Sequence, residues 1–336
     1  MGAVLLKRRQ FFEGSLALAS FGLLTGCGLV PPQLQAKPKV PHIGWLIYGD
    51  PPYGSAVEET VLRSLQRLGY ADGQNIAIHY RFGEGHPERF PALAAELVSL
   101  NVDLIVAIGT DLALILKEAT QTIPVVIGSS ADPVGAGLAS SLGRPGGNFT
   151  GVSLLADKLG AKRLEALKSV MPSLSKAAVL WDRNHIDGEF QELEEAAHVQ
   201  GVQLQSLEIS SAGDLDGALS AAVNSRPEAL MVVPSRVMAF ILDRIIAFAA
   251  QYRLPVISGW RDFADAGGLL TYGPDRFEAV EHCAEYVDKI LKGAKPAELP
   301  IVQPTKFDFV INLKTAQNLG LVIPPSVLAQ ATALIQ

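Results

Sequence analysis

Cysteine is scarce in this chain of 336 residues, which contains only Cys27 and Cys283. A fold held together by several disulfide bonds is therefore excluded. Cys283 falls inside an apparent helix, where a lone cysteine usually behaves as a small buried apolar residue. We assign no chemistry to Cys283.

Positive charge is also in short supply. The chain has 28 Lys and Arg against 34 Asp and Glu, which gives a formal net charge of −6 and a pI near 5.6. Lys and Arg form no cluster that could displace counterions from a phosphate backbone, so a nucleic acid partner is not expected. Hydrophobic residues make up 49% of the chain and charged residues 18%, as in a well-packed globular protein. The length favours two domains.

The common catalytic motifs are missing as well. The chain contains no G-x-x-x-x-G-K-[ST] phosphate loop, no H-E-x-x-H motif and no G-x-S-x-G nucleophile elbow. His79, Glu84, His86 and Glu88 lie close together, but their irregular spacing is more typical of a solvated loop than of a metal site. We therefore expect no metal site, no cofactor and no enzymatic activity.

The N-terminus has the layout of an export signal. The basic residues 7–9 precede a short apolar stretch, 15–24, which is too short to span a bilayer. Residues 24–27, Leu-Thr-Gly-Cys, resemble the lipobox of bacterial lipoproteins, in which the cysteine receives a lipid. Residues 8–12, Arg-Arg-Gln-Phe-Phe, resemble the twin-arginine export motif.

These features predict an exported protein, periplasmic or at the cell surface. Residues 1–27 are the predicted signal, with lipidation at Cys27, and 28–40 are a predicted proline-containing tether. The alternative is an ordinary cleaved signal in which the cysteine is accidental. The export route, general or twin-arginine, stays open. The folded body is expected to begin near Val40.

Beyond the tether, strands and helices alternate in two halves of similar form. Alternation of this kind predicts parallel sheets covered by helices on both faces, with right-handed crossovers. The predicted strands are 43–48, 76–80, 104–108 and 125–127, then 177–181, 203–207, 229–233 and 256–257. The predicted helices are 55–69, 87–100 and 111–120, then 187–200, 213–224, 236–251 and 275–292. Each half is predicted to be a doubly wound α/β lobe.

Small polar residues follow several of these strands. Gly109, Thr110 and Asp111 stand where a buried strand turns directly into a helix, and Asp132 precedes a proline after the fourth strand. In doubly wound sheets a ligand sits outside the carboxyl ends of the strands, close to helix N-termini. Thr110, Asp111 and Asp132 are also ordinary helix-capping residues, and this alternative explains each one equally well when it is taken alone.

Several longer segments make the sequence similar to a known family. They are 132–138 (DPVGAGL), 144–151 (RPGGNFTG), 267–273 (GGLLTYG), 290–300 (ILKGAKPAELP) and 303–316 (QPTKFDFVINLKTA). These segments resemble the ABC transporter substrate-binding protein family, which includes tryptophan- and tyrosine-binding lipoproteins. The resemblance covers roughly residues 41–332.

The resemblance implies the fold of a type I periplasmic binding protein, an α/β protein with two doubly wound parallel-sheet lobes joined by a three-crossing hinge. We expect lobe 1 to comprise 41–147 and about 268–301, and lobe 2 to comprise 148–267 and about 302–336. Hinge roles are predicted for glycines at the ends of the repeated units, although each cluster could be a plain surface turn. These glycines are Gly146, Gly147, Gly151, Gly267 and Gly268.

By analogy with the fold, the ligand-binding residues stand at the strand ends that face the cleft. The candidates are Tyr48, Asp50, Gly109, Thr110, Ser129, Asp132, Asp182, Asn184, Ser235, Trp260 and Tyr272. For an amino acid, helix-start amides and Thr110 would take the carboxylate, and Asp182 or Asp132 would take the ammonium group. Trp260, Tyr48 or Tyr53 would stack on a ring.

The function implied is that of the solute-binding component of an ABC import system. The partners expected are a small polar solute, a membrane permease with its ATPase, and the membrane itself through the lipid anchor, with the protein a monomer. One alternative is a receptor that signals to a membrane partner. Another is an enzyme that uses the same cleft, but no acid–base pair supports it.

Overall fold

Short strands rich in Val, Ile and Leu build two separate sheets in this computed structural model, which describes residues 40–52, 56–154, 159–185 and 188–336. Val40–Gln336 forms one compact unit. The predicted export signal, the lipobox cysteine Cys27, nearly all of the tether and Tyr53 lie outside the described residues. Within the described ranges, no helix is both long enough and apolar enough to cross a membrane.

The first sheet has five parallel strands in the order β2-β1-β3-β4-β5. They are β1 (His42–Ile47), β2 (Ala77–Phe82), β3 (Leu104–Ile108), β4 (Val125–Ser130) and β5 (Phe149–Ser153). Helices α1 (Ala56–Arg67), α2 (Phe90–Ser99) and α3 (Thr110–Ala119) follow the first three strands in chain order.

Strand β1 illustrates why both faces of this sheet are covered. Ile43, Trp45 and Ile47 are buried on the face packed by α1, whereas Leu46 packs with residues of α2 and α3 on the other. Successive side chains of a strand point to opposite faces, so a strand buried on both faces is apolar throughout. Lobe 1 therefore has three layers, helix, sheet and helix.

The second sheet has seven strands in the order β12-β11-β10-β9-β8-β6-β7. They are β6 (Lys176–Asp182), β7 (Gln203–Ile209), β8 (Ala229–Val232), β9 (Val256–Ser258), β10 (Leu270–Pro274), β11 (Phe307–Asn312) and β12 (Ala333–Ile335). The pairing is parallel except between β10 and β11.

Most of the remaining helices surround this second sheet. They are α4 (Gly160–Val170), α5 (Glu189–Gln200), α6 (Leu215–Ser225), α7 (Arg236–Phe240), α8 (Leu242–Gln251), α9 (Arg261–Asp265), α11 (Leu313–Leu319) and α12 (Pro325–Leu328). The exception is α10 (Arg276–Leu291), which packs on α1, β4 and β5 in lobe 1. The predicted two-lobe α/β architecture is confirmed.

The chain passes between the lobes three times. It passes from β5 to α4, then from β10 to α10, and finally from the end of α10, through residues 301–306, to β11. At the second passage Asp275 caps α10, because its carboxylate accepts hydrogen bonds from the backbone N–H groups of Phe277 and Glu278 at 2.9 and 3.2 Å.

The predicted lobe boundaries need correction at two places. Residues 149–153, assigned above to lobe 2, form the buried strand β5 and pair with β4 in lobe 1. Residues 270–274, assigned to lobe 1, form β10 in the sheet of lobe 2. Both strands follow glycine-rich turns, and glycine clusters are typical of turns and of hinges alike. The passages therefore lie after each of these strands and not before it.

The glycines predicted as hinge residues lie within the lobes. Gly146 and Gly147 precede β5, Gly151 lies in β5, and Gly267 and Gly268 connect α9 to β10. The predicted helix over 236–251 is in fact two helices, because Ile241 leaves the helical conformation with φ −104° and ψ 14°.

Candidate functional site

A cavity of about 250 Å³ lies between the lobes, at the carboxyl ends of the strands. Lobe 1 contributes residues after β1, the ends of β3 and β4, the first turn of α1 and the start of α10. Lobe 2 contributes α7 and the start of α9. In open parallel sheets this edge is where ligands bind, because backbone N–H groups at helix starts face it. The cavity lies where the sequence pattern predicts a shared cleft.

Arg236 crosses the cleft from lobe 2. Its guanidinium group forms an ion pair with Asp111 of α3 and donates a second hydrogen bond to the backbone carbonyl of Ile108. It also lies over the Tyr48 ring, with its Cζ 5.3 Å from the ring centroid. Gly109 has φ 115°, and any Cβ there would collide with the Arg236 guanidinium group. Only glycine at this position therefore leaves room for the arginine side chain.

Arg276 crosses the cleft in the opposite direction, from α10 of lobe 1. It pairs with Asp262 of α9 in lobe 2. Its Cζ lies 4.6 Å from the Trp260 ring centroid and 5.4 Å from that of Phe277. A guanidinium at this distance from an indole makes a favourable cation–π contact. Arg276 is thus bound to lobe 2 by charge and by stacking.

Burial disfavours the protonated form of both arginines. Desolvation lowers the pKa of Arg236 and that of Arg276 to about 10, while the Glu58 carboxylate acts in the opposite direction on both. At neutral pH both remain cations. Among the described residues, the Nε atoms of both arginines and Oδ1 of Asp111 are buried without a hydrogen-bond partner. Both arginines line the cavity, where their guanidinium groups can pair with an anionic group of a ligand.

Aromatic side chains form part of the cavity wall. The Tyr48 ring contacts Phe240 of lobe 2 edge to face, with centroids 6.0 Å apart, and Phe90 of lobe 1 at 5.7 Å. Burial raises the pKa of Tyr48 to about 12, and the nearby Arg236 cation opposes this shift only in part. Tyr48, Phe240 and Trp260 thus place aromatic surface in the cavity wall beside two guanidinium groups.

A second, smaller cavity of about 30 Å³ adjoins the first and shares Ser129, Leu154, Arg236 and Trp260 with it. Thr110 lines it and does not serve as a cap. Its hydroxyl lies 3.0 Å from the Ser130 hydroxyl and accepts a hydrogen bond from the Ala131 N–H at 3.1 Å. The N-cap residue of α3 is Gly109, and among the described residues no side chain caps this helix. The capping alternative for Thr110 and Asp111 therefore does not describe their contacts.

The structure brings five of the predicted ligand-binding residues to these two cavities. They are Tyr48, Gly109, Thr110, Ser129 and Trp260. The other six candidates do not line either cavity. They are Asp50, Asp132, Asp182, Asn184, Ser235 and Tyr272.

Local contacts explain the position of most of these six. Asp132 closes its own turn by accepting hydrogen bonds from two backbone N–H groups. Ser235 caps α7, Asn184 donates to the Ser210 carbonyl, and Tyr272 packs on Phe307 and Phe309 within lobe 2. Asp50 is exposed. Asp182 is buried, and its charge helps to raise the pKa of Tyr48 across the cleft.

Sequence reasoning missed the charged residues that dominate the site. They are Glu58, Asp111 as an ion-pair partner, Arg236, Asp262 and Arg276, together with the aromatic Phe240. The usable signal was that each charged residue lies in the first turn of a helix, and in most cases that helix directly follows a strand of the sheet. Among the described residues, no group of three His, Cys, Asp or Glu side chains could hold a metal ion.

Several known proteins are similar to this chain in sequence or in fold. A Tyrosine-binding protein of Clostridioides difficile (strain R20291) is 27% identical over 263 residues, which cover 77% of this chain and 75% of the relative.

Two solved structures are also similar to this chain. An ABC domain from Streptococcus pneumonia in complex with L-Trp has a TM-score of 0.78 at 26% identity, covering 88% of this chain and 99% of that one. A conserved domain protein from Vibrio cholerae has a TM-score of 0.81 at 28% identity, covering 88% of this chain and all of that one.

The family described as ABC transporter substrate binding protein matches residues 52–335, nearly the whole of the folded part. This chain therefore belongs to the ABC transporter substrate binding protein family.

Proposed function

We propose that this protein is the extracytoplasmic solute-binding component of an ABC import system and that it captures a small amino acid-like solute by closure of its two lobes. The cavity between the lobes carries the proposal, because it combines two guanidinium groups, a buried carboxylate and aromatic rings. A carboxylate, an ammonium group and a flat apolar group are the chemical features that these residues complement.

The solute class we favour is an aromatic amino acid. Two similar proteins support this choice, since one is named a Tyrosine-binding protein and the other is a complex with L-Trp. In our assignment the ligand carboxylate pairs with the two guanidinium groups, and Glu58 on α1 faces the ammonium group. The ring lies against Trp260 and Tyr48. A few charge-assisted hydrogen bonds and one stacked ring can supply about −8 kcal/mol, which corresponds to micromolar affinity.

Transport requires partners beyond this chain. We propose that the closed, loaded protein docks on a membrane permease with its cytoplasmic ATPase, and that lipid on Cys27 holds the protein at the membrane. Membership of the family supports the first of these proposals. The Leu-Thr-Gly-Cys sequence at residues 24–27 supports the second.

The test is a thermal-shift screen of the purified protein against amino acids, sugars, nucleosides and small carboxylates. A solute present at a hundredfold excess over its Kd adds about 2.7 kcal/mol to the free energy of unfolding. We expect the largest shifts from aromatic amino acids and no turnover of any compound that binds. A screen in which no amino acid shifts the transition would refute the solute class, and conversion of a bound compound would point to an enzyme instead.

A further inference from the structure

Each of the two arginines in the cavity pairs with an aspartate of the opposite lobe. Arg236 belongs to lobe 2 and pairs with Asp111 of lobe 1, whereas Arg276 belongs to lobe 1 and pairs with Asp262 of lobe 2. Each lobe thus supplies one arginine and one aspartate to the other. We call these two ion pairs the crossed latch.

The four charged side chains of the crossed latch are largely shielded from water. The side chains of Arg236 and Arg276 are 14% and 13% exposed, and those of Asp111 and Asp262 are 26% and 30% exposed. A charge this far from water needs a partner, and an ion pair is screened less by salt here than at an open surface. Separating the lobes breaks both pairs and returns all four charges to solvent.

The latch also fixes the orientation of both guanidinium groups. Asp111 and the Ile108 carbonyl hold two nitrogens of Arg236, and Asp262 holds one nitrogen of Arg276, which is further fixed by stacking on Trp260. Within the described residues, Nε of each arginine is left without an acceptor. Without its aspartate, each long side chain is free to adopt other rotamers, and the orientation of its guanidinium group is lost.

We infer that Asp111 and Asp262 are positioning residues that favour the closed form and orient the two ligand-binding arginines. The ligand role of the arginines rests on the function proposed above, but the latch itself does not. Two consequences follow. Loss of the latch shifts the two lobes toward the open form, and loss of either aspartate lowers affinity even though neither aspartate is assigned a contact with the solute.

The lobe distance can be measured without any ligand. Ala95 on α2 and Ala221 on α6 are exposed, and each helix packs at a sheet edge remote from the chain passages. Spin labels on the full chain carrying Ala95→Cys, Ala221→Cys and Cys27→Ser report the separation by pulsed electron resonance, because Cys283 is fully buried and does not react.

In ligand-free protein at low ionic strength we expect a closed population at short distance beside an open one at longer distance. Asp111→Asn with Asp262→Asn is expected to shift the distribution to longer distances. The matched control is Asp216→Asn, which removes the Arg244–Asp216 pair within lobe 2 and leaves the distance unchanged. A second test exchanges the charges of one pair. Asp111→Arg alone opens the protein, and Arg236→Asp added to it restores the short distance. Equal distributions in wild type and in the double Asn variant would overturn the inference.

Affinity gives an independent readout. With the amino acid that gives the largest shift in the solute screen, each Asp→Asn change is expected to raise Kd about tenfold or more, whereas Asp216→Asn leaves it unchanged. If no solute binds but the distances respond to the Asn variants, the latch stands and the proposed function fails. If a solute binds and the Asn variants keep both the wild-type affinity and the short distance, the proposed function stands and the latch fails.

Discussion

Trp260 lines the cavity and makes a cation–π contact with Arg276, whose Cζ lies 4.6 Å from the indole ring centroid. We predict that Trp260→Ala raises the Kd for an aromatic amino acid about tenfold, since it removes both the stacking surface and the cation–π contact that holds Arg276. Isothermal titration calorimetry measures the change.

The chain offers a matched control for this variant. Trp181 stacks on Phe190 at 4.4 Å in lobe 2 and does not line the cavity. Trp181→Ala removes an equally large ring, so it is expected to lower the free energy of unfolding but to leave Kd within twofold of wild type. Similar losses of affinity in both variants would show that Trp260 acts through stability alone.

Tyr48 makes the stability of the protein sensitive to alkaline pH. Its pKa is about 12 in the folded protein against an ordinary value of 10.0, mainly because it is buried. Between these values the unfolded chain releases the proton and the folded chain keeps it, so the free energy of unfolding falls as pH rises. We predict that the free energy of unfolding of wild type falls by about 1 kcal/mol more than that of Tyr48→Phe when the pH is raised to 11.

The measurement is urea unfolding of wild type and Tyr48→Phe at pH 8 and at pH 11. The difference in stability between the two proteins should move in favour of the variant as pH rises, whatever its value at pH 8. A difference that is the same at both pH values contradicts the assignment of a buried, neutral phenol at this position.

Residues were predictable from sequence where local rules decide their place. Gly109 and Thr110 end a continuous apolar strand, and the carboxyl end of such a strand faces the cleft in any doubly wound lobe. Arg236 and Arg276 were not predictable in the same way. An arginine in the first turn of a helix usually lies in water, and only the packing of one lobe on the other shows that these two reach across the cleft.

At the scale of elements, strand β5 shows how a backbone contact can resemble a hinge in sequence. Gly151 has φ 139°, and a Cβ there would lie 2.0 Å from the carbonyl oxygen of Ile127 on β4. The glycine is required because two strands approach closely, and the surrounding residues 149–153 are all buried. Sequence alone offers no means of separating this requirement from the flexibility of a hinge.

We predict that Gly151→Ala lowers the free energy of unfolding by about 3 kcal/mol, because the strain falls on backbone atoms that cannot move aside. Gly147→Ala is the matched control, since a Cβ at Gly147 meets nothing within 4 Å. The control should change stability by no more than about 0.5 kcal/mol. Chemical denaturation of the two variants measures both values, and equal stabilities would contradict the close approach of β4 and β5.

At the scale of the whole molecule, the order of elements was predictable and the lobe boundaries were not. Alternating strands and helices predict two doubly wound sheets from periodicity alone. Where the chain leaves each sheet depends on whether the last strand of the repeat pairs before the passage, as β5 and β10 both do. Pairing of this kind is a tertiary contact that the sequence does not reveal. The predicted boundaries were placed at the glycine-rich turns before β5 and β10, one strand before the chain leaves each sheet.

The lobes also meet through an aromatic contact that should control how fast a captured solute leaves. Phe240 of lobe 2 packs against Tyr48 and beside Gly85 of lobe 1, yet it remains 43% exposed at the cleft. Phe240→Ala removes apolar contact that exists only when the lobes are closed, so the open form gains population and the solute escapes more often. We predict that the dissociation rate rises about tenfold while the thermal midpoint of the ligand-free protein changes little.

Stopped-flow displacement of the bound amino acid measures this rate. Phe307→Ala is the matched control, because Phe307 is 37% exposed and packs on Tyr272 within lobe 2. A ring of the same size and similar exposure is lost there without any effect on the contact between lobes, so the control should release solute at the wild-type rate. Equal acceleration in both variants, or none in Phe240→Ala, would mean that escape does not require the Tyr48–Phe240 contact to open.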